Sequence, residues 1–293
     1  MIEYGNTRVA AMRSRLLTAA ELRRLEQASG AAELLGLLER AADWQAVLRG
    51  LGPLAANPAT AVEAAAERVH AERLAALPRF YGGSLAGPVE ALVLPLDHAR
   101  LVALLRRRRA GERPEAIGES LVRGALLSVS DLGRIARAPS PADGVLLAAR
   151  LGVLGRPGAD RVVAAIRSGA DDARVERLLA QAADQARDAL AAGRTRACRR
   201  VRALLDDERA IRAAAVAELE AAGAAPASFL ERTATAARLE ALARAARRDP
   251  LGIGVVAGYV AAVELEAMRV RGALARAVVG WSDELLGRLA GAA

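Results

Sequence analysis

The chain has no lysine; all 42 of its basic residues are arginine. It has two histidines, His70 and His98, a single cysteine, Cys198, and only 2% aromatic residues. Each shortage excludes chemistry. A phosphate-binding loop of the GxxxxGK type cannot be built without its lysine, nor can a Schiff base. Two histidines and one cysteine cannot form a self-contained His/Cys zinc cluster. A lone cysteine makes no internal disulfide, as expected in a reducing compartment. The longest strongly apolar stretch without a charge runs from Pro250 to Val263, short of the ~20 residues that span a bilayer. Met1 to Leu17 lacks the apolar core of a secretory signal and reads as an amphipathic helix. The expectation is a protein that is soluble or rests on a membrane without crossing it.

What remains is alanine, leucine and charge. Apolar residues make up 53% of the 293 positions, and the net charge is +8. Alanine, leucine, arginine and glutamate are good helix formers, and runs of the β-branched and aromatic residues that strands need are few. Nearly every segment repeats on a helical period. Val9, Met12 and Leu16 make a stripe on the first helix. Thr18 with Glu21, Thr60 with Glu63 and Ser228 with Glu231 have capping-box spacing. Asp249 before Pro250 reads as an N-cap and first helical residue. Breaks are expected at Gly50–Pro58, Pro78–Pro88, Gly111–Pro114, Pro139–Pro141, Gly155–Gly158, Gly223–Pro226 and Asp249. The stretch Val89–Leu96, bracketed by two prolines, reads as loop. Alanine at interface positions lets helix axes approach closely, which suits packed helices and not a deep ligand cavity.

An internal repeat is expected. Asp97 to Arg106, Asp206 to Arg212 and Glu264 to Arg271 each begin with an acid, followed by an arginine and apolar residues at helical spacing. Short second helices follow the first and last copies, at Ile117–Gly124 and Ser282–Leu289. A weaker fourth match runs from Tyr4 to Arg13.

Other constellations have plainer readings. Gly252, Gly254 and Ala257 match a dinucleotide-binding fingerprint, but an Arg/Ala helix precedes them where a strand is required, and no βαβ unit surrounds them. The pairs Asp171–Asp172 and Asp206–Asp207 have the look of the magnesium-binding aspartates of helical isoprenoid synthases. Acids after Gly169 are accounted for by a helix N-terminus. Cys198 reads as a partly buried helical cysteine, and the histidines as surface or helix-end residues. Arg106, Arg107, Arg108 and Arg109 form the densest charge run. It suits phosphate, lipid headgroups or an acidic partner, and it equally suits the solvated C-terminal end of a helix.

Three segments carry a resemblance to a known family. Asp249 to Arg271 is similar to the C-terminal signature of the C-type subunit of the V/A-type ATP synthases, whose counterpart in the eukaryotic V-ATPase is the d-type subunit. That signature has a Pro-Leu-Gly turn, a tyrosine, then a Glu-x-Glu followed by an asparagine and an arginine. Tyr4 to Leu17 resembles the family's opening, and Leu96 to Arg106 with Gly111 its middle segment. The sequence departs where Arg100 and Arg269 stand in place of asparagines, Val255 in place of proline and Val263 in place of a basic residue.

The resemblance implies an all-α, funnel-shaped protein of three similar helical lobes in pseudo-threefold arrangement, here roughly residues 1–110, 111–200 and 201–293. It implies a non-catalytic rotor protein without cofactor or metal. Such a protein sits peripherally on the cytoplasmic face of the membrane, as a socket between the central axle and the proteolipid ring. On this reading Asp97, Asp206, Glu264 and Glu266 pair with arginines of neighbouring helices, with Arg106, Arg212 and Arg271 among the pairing candidates. Arg106, Arg107, Arg108 and Arg109 face the ring or the headgroups. The rival readings are a basic helical scaffold for nucleic acid, which lacks interleaved aromatics and a reading motif, and an isoprenoid-synthase-like enzyme.

Overall fold

A computed structural model describes residues 2–52, 56–221 and 227–279, and the side chains of all of these except 218–221, 227–232 and 279. The described residues are all-α, without a strand. In chain order the helices are α1 (Ile2–Arg13), α2 (Ala19–Glu26), α3 (Ala31–Leu38), α4 (Ala42–Arg49), α5 (Pro58–Ala76), α6 (Ala86–Arg109) and α7 (Pro114–Glu119). They continue with α8 (Val129–Ala136), α9 (Pro141–Arg150), α10 (Arg156–Arg167), α11 (Asp172–Leu190), α12 (Arg196–Ala221), α13 (Ala227–Arg248) and α14 (Gly254–Val279). Two short 3-10 turns, Leu77–Phe80 and Gly83–Leu85, precede α6.

The chain divides into two compact units. One comprises Met1–Arg73 with Ala203–Ala293, the other Leu74–Arg202. In the first, α14 packs against α13, α2, α1 and α3. Its core joins Leu34, Leu38, Trp44, Val62 and Val69 to Val270 and Ala273. In the second, α6 packs against α11, α9 and α8, around Leu94, Leu101, Leu104, Ile135, Val162 and Leu179. Alanine does the close packing in both, with Ala61, Ala65 and Ala66 buried on α5 and Ala182, Ala183 and Ala186 on α11. Each removes little apolar area, so stability accumulates over many contacts.

Several punctuation signals act as expected, and others do not. Thr18 and Glu21 form a capping box at α2. Thr60 does not cap α5; Asn57 does, with Oδ1 accepting from the amides of Ala59 and Thr60 at 3.0 and 3.2 Å. The Ser228–Glu231 spacing, the Gly223–Pro226 break and the Ser282–Leu289 helix lie outside the described residues. After Asp249 the chain makes one turn, and α14 starts only at Gly254. A Cβ at Gly252 would stand 2.1 Å from the Asp249 carboxylate. Glycine is required there by a close approach, and no strand precedes it.

The stretch Val89–Leu96 is not loop but the buried first half of α6. Pro88 lies in the first turn, where its missing N–H would have no partner anyway. Pro95 lies within the helix and removes the donor to the Ala91 carbonyl, a defect of about 3 kcal/mol when uncompensated. The Arg187 guanidinium reaches across from α11 and donates to that carbonyl at 3.2 Å. The prolines marked the wrong feature: apolar residues on every side made the segment a buried helix, and a partner arginine made the internal proline tolerable.

The two units share a motif. Leu126, Leu127, Ser128, Asp131, Leu132, Arg134 and Ile135 repeat Leu16, Leu17, Thr18, Glu21, Leu22, Arg24 and Leu25 in the same register. Both stretches form a capping box, on α2 and α8.

Candidate functional site

Glu266 lies at the middle of α14 and is 3% exposed. Its Oε1 accepts from Arg73 Nη1 at 2.5 Å and from Trp44 Nε1 at 3.1 Å. Its Oε2 accepts from the Leu17 amide at 2.7 Å. Arg73, buried on α5, also donates to Asp43 at 3.2 Å and to the Arg15 carbonyl at 3.2 Å. One carboxylate and one guanidinium thus join α14, α5, α4 and the chain entering α2. Such a buried pair is tolerable because both carboxylate oxygens and all three guanidinium nitrogens find a partner. The Tyr259 hydroxyl, buried in the same surroundings, has no hydrogen-bond partner among the described residues. Burial drives its ionisation well above the usual phenol range.

Asp97 plays the corresponding part on α6. Its Oδ1 accepts from the Leu127 amide at 2.7 Å, and its carboxylate also accepts from Leu126. Leu17 and Leu127 each stand immediately before the N-cap of a helix, so Asp97 and Glu266 hold equivalent ends of the two capping boxes. The repeat therefore aligns Asp97 with Glu266, two residues beyond Glu264. Gly124 allows this arrangement, since a Cβ there would lie 1.9 Å from Asp97 Oδ1. The pairing partners of Asp97 are backbone amides rather than an arginine. Burial pushes it up to about 6, against the pull of those amides. Next to it His98 is pushed down to about 4 by burial, with Asp184, Arg187 and Glu176 as its charged surroundings. Neither histidine is at a helix end: His98 lies within α6 and His70 within α5, both half-buried.

The other pairing candidates fall into two groups. Glu264 on α14 meets Arg238 on α13 through a two-pronged contact at 2.8 and 3.0 Å. Burial opposes the Arg238 charge, yet Glu264 and Glu208 hold its ionisation above the usual value. Arg271 reaches Glu63 and Glu67 on α5 at 3.3 and 3.7 Å. Arg269, in an asparagine position of the resemblance, bonds Glu26 at the end of α2 at 2.6 Å. These link helices. Asp206 instead pairs along its own helix with Arg209 at 3.2 Å, an exposed contact worth little. Its neighbour Asp207 makes the interhelical bond, to Arg248 at 2.6 Å. Arg212 is half-buried on α12.

The arginine run at the end of α6 is engaged within its own unit. Arg106 bonds Glu176, with the closer of two contacts joining Nε to Oε1. Arg107 bonds Glu112 and Ser120. Arg108 donates to the Ala138 carbonyl at 3.2 Å, and Arg109 to Asp172 at 2.6 Å and the Ala170 carbonyl at 2.7 Å. Asp171 caps α11 through the Arg174 amide at 2.7 Å, so that aspartate pair serves a helix start. Among the described residues no group of three or more His, Cys, Asp or Glu is disposed to hold a metal. Cys198 is buried and accepts from Thr195 Oγ1 at 3.1 Å.

Sequence reasoning missed Arg73, Trp44, Asp43 and Arg187. For the two arginines a signal existed: each stands at the same distance beyond its helix cap, Asn57 or Asp171, on an otherwise alanine-rich face.

Residues 5–148 match the family model described as ATP synthase (C/AC39) subunit. No curated protein matches the chain.

Proposed function

The chain belongs to the ATP synthase (C/AC39) subunit family, and on that premise we propose that it is the central-stalk component of a V/A-type rotary ATPase. In this role it is the socket that seats the central axle on the proteolipid ring, at the cytoplasmic face of the membrane. It carries torque during ion transport and ATP synthesis or hydrolysis, and performs no chemistry itself. The family match is the observation that carries this reading. A membrane-peripheral position agrees with it, because no described helix is long and apolar enough to cross a bilayer.

The buried clamps suit such a role. A torque-bearing protein must resist sliding of one helix along another. Glu266 fixes α14 simultaneously to α5, α4 and the start of α2, and Asp97 fixes α6 to the start of α8. Displacement along either helix would strip buried donors of their acceptor, at about 1–3 kcal/mol each. Asp206, Glu264, Arg212 and Arg271 are proposed to add to this stiffness at the periphery.

Affinity purification of the tagged chain from its native membranes tests the assignment. The expected result is recovery of axle and ring proteins in fixed proportion. Recovery of the chain alone, from membranes that contain those proteins, would contradict it.

A further inference from the structure

We propose that the exposed arginines at the start of α12 form a docking stripe for anionic phospholipid headgroups. Arg194, Arg196, Arg199, Arg200 and Arg202 fall within nine residues, and all five are exposed. On the helix, Arg196, Arg199, Arg200 and Arg202 share the side opposite buried Ala197, Cys198 and Val201, as the 3.6-residue period dictates. Arg199 folds back to donate to the Arg194 carbonyl at 2.7 Å, and Arg202 to the Gly193 carbonyl at 3.3 Å. The charges therefore gather around one turn, at the positive end of the helix dipole.

Their environment differs from that of the α6 run. Arg106, Arg107 and Arg109 each face a carboxylate. Among the described residues Arg194, Arg199, Arg200 and Arg202 face none, so their charge is available to an outside anion. Guanidinium groups bind phosphate in two-pronged fashion. The stripe contains no exposed large apolar residue, the component on which protein interfaces centre. It contains no aromatic residue on which bases could stack. Charge without an apolar anchor matches a lipid headgroup layer, where each arginine contributes about fivefold in affinity.

This deepens the reading of a protein working beside a membrane, yet it fails or stands separately, because its test needs no partner protein. The full chain is co-sedimented with phosphatidylglycerol-rich vesicles and with pure phosphatidylcholine vesicles. The expected result is preferential binding to the anionic vesicles that weakens with salt. The triple variant Arg199→Gln, Arg200→Gln, Arg202→Gln should bind them on the order of 100-fold more weakly. Should that variant lose thermal stability, the Arg194→Gln, Arg200→Gln pair decides, since neither side chain bonds within the described residues. Equal binding to both vesicle types, or wild-type affinity in a stable variant, overturns the proposal. So does a duplex DNA that competes as well as anionic lipid at equal phosphate, since the stripe would then be a general polyanion site.

Discussion

Replacing Glu266 with alanine should be among the most destabilising single changes in the protein. Its carboxylate, 3% exposed, accepts from Arg73, Trp44 and Leu17. Removing one member of a buried ion pair costs about 3–5 kcal/mol, because the other charge is stranded. The Leu17 amide and the Trp44 indole would lose their acceptor as well, at about 1–3 kcal/mol each. These losses share one site and are not additive. Arg73 keeps Asp43 at 3.2 Å, and the space left by the side chain can admit water. The net expectation is about 4 kcal/mol, a large fraction of the roughly 5–15 kcal/mol that holds a typical domain folded. Trp44, itself 1% exposed, reports directly on the cluster. Urea unfolding followed by its fluorescence, in a Trp281→Phe background, reads the change in midpoint. Glu266→Gln, which retains an acceptor without the charge, should fall between wild type and alanine. The double variant Arg73→Met, Glu266→Met should recover much of the loss, since no charge is stranded. A loss below about 1 kcal/mol for Glu266→Ala, or a double variant no better than the single, would refute the clamp.

Two other predictions follow from buried groups. Asp97, raised from 3.8 to about 6, binds its proton more tightly when folded, so its contribution favours the fold in acid and is lost as pH rises through 6. At neutral pH that burial costs about 3 kcal/mol. His98, lowered from 6.5 to about 4, has the opposite sign: its contribution is present above 6.5 and is lost as pH falls towards 4. The two largely cancel in wild type, so Asp97→Asn should make the melting temperature fall more steeply on acidification between pH 6.5 and 4. An unaltered slope would contradict the opposed pair. Tyr259→Phe removes a buried hydroxyl without a partner among the described residues, and calorimetry should find stability unchanged or improved by up to about 2 kcal/mol. A loss larger than about 1 kcal/mol would mean that the hydroxyl is bonded.

The helical class was legible because period and composition agree along the chain. Most breaks were legible too, since glycine and proline act through local backbone geometry. Val89–Leu96 was misjudged because Pro95 is compensated by Arg187, some ninety residues on, through a side-chain bond that no local rule contains. Asn57 prevailed over Thr60 as a cap because Pro58 fixes the first turn. Glu264 and Glu266 were recognisable as pairing acids from the resemblance. Their partners Arg238 and Arg73 were not, because which arginine meets which acid is a tertiary outcome. The density of Arg106–Arg109 drew attention away from Arg194–Arg202. Charge density alone does not distinguish an arginine facing a carboxylate from one facing solvent.

In its proposed role this protein transmits torque between axle and ring. Native membrane vesicles from cells with and without the chain measure this directly, through ATP hydrolysis and ATP-driven ion uptake together. Loss of the chain should leave hydrolysis by the head but abolish ion uptake, and adding the purified protein back should restore it. Ion uptake that continues at its usual ratio to hydrolysis in the absence of the chain would contradict the claim.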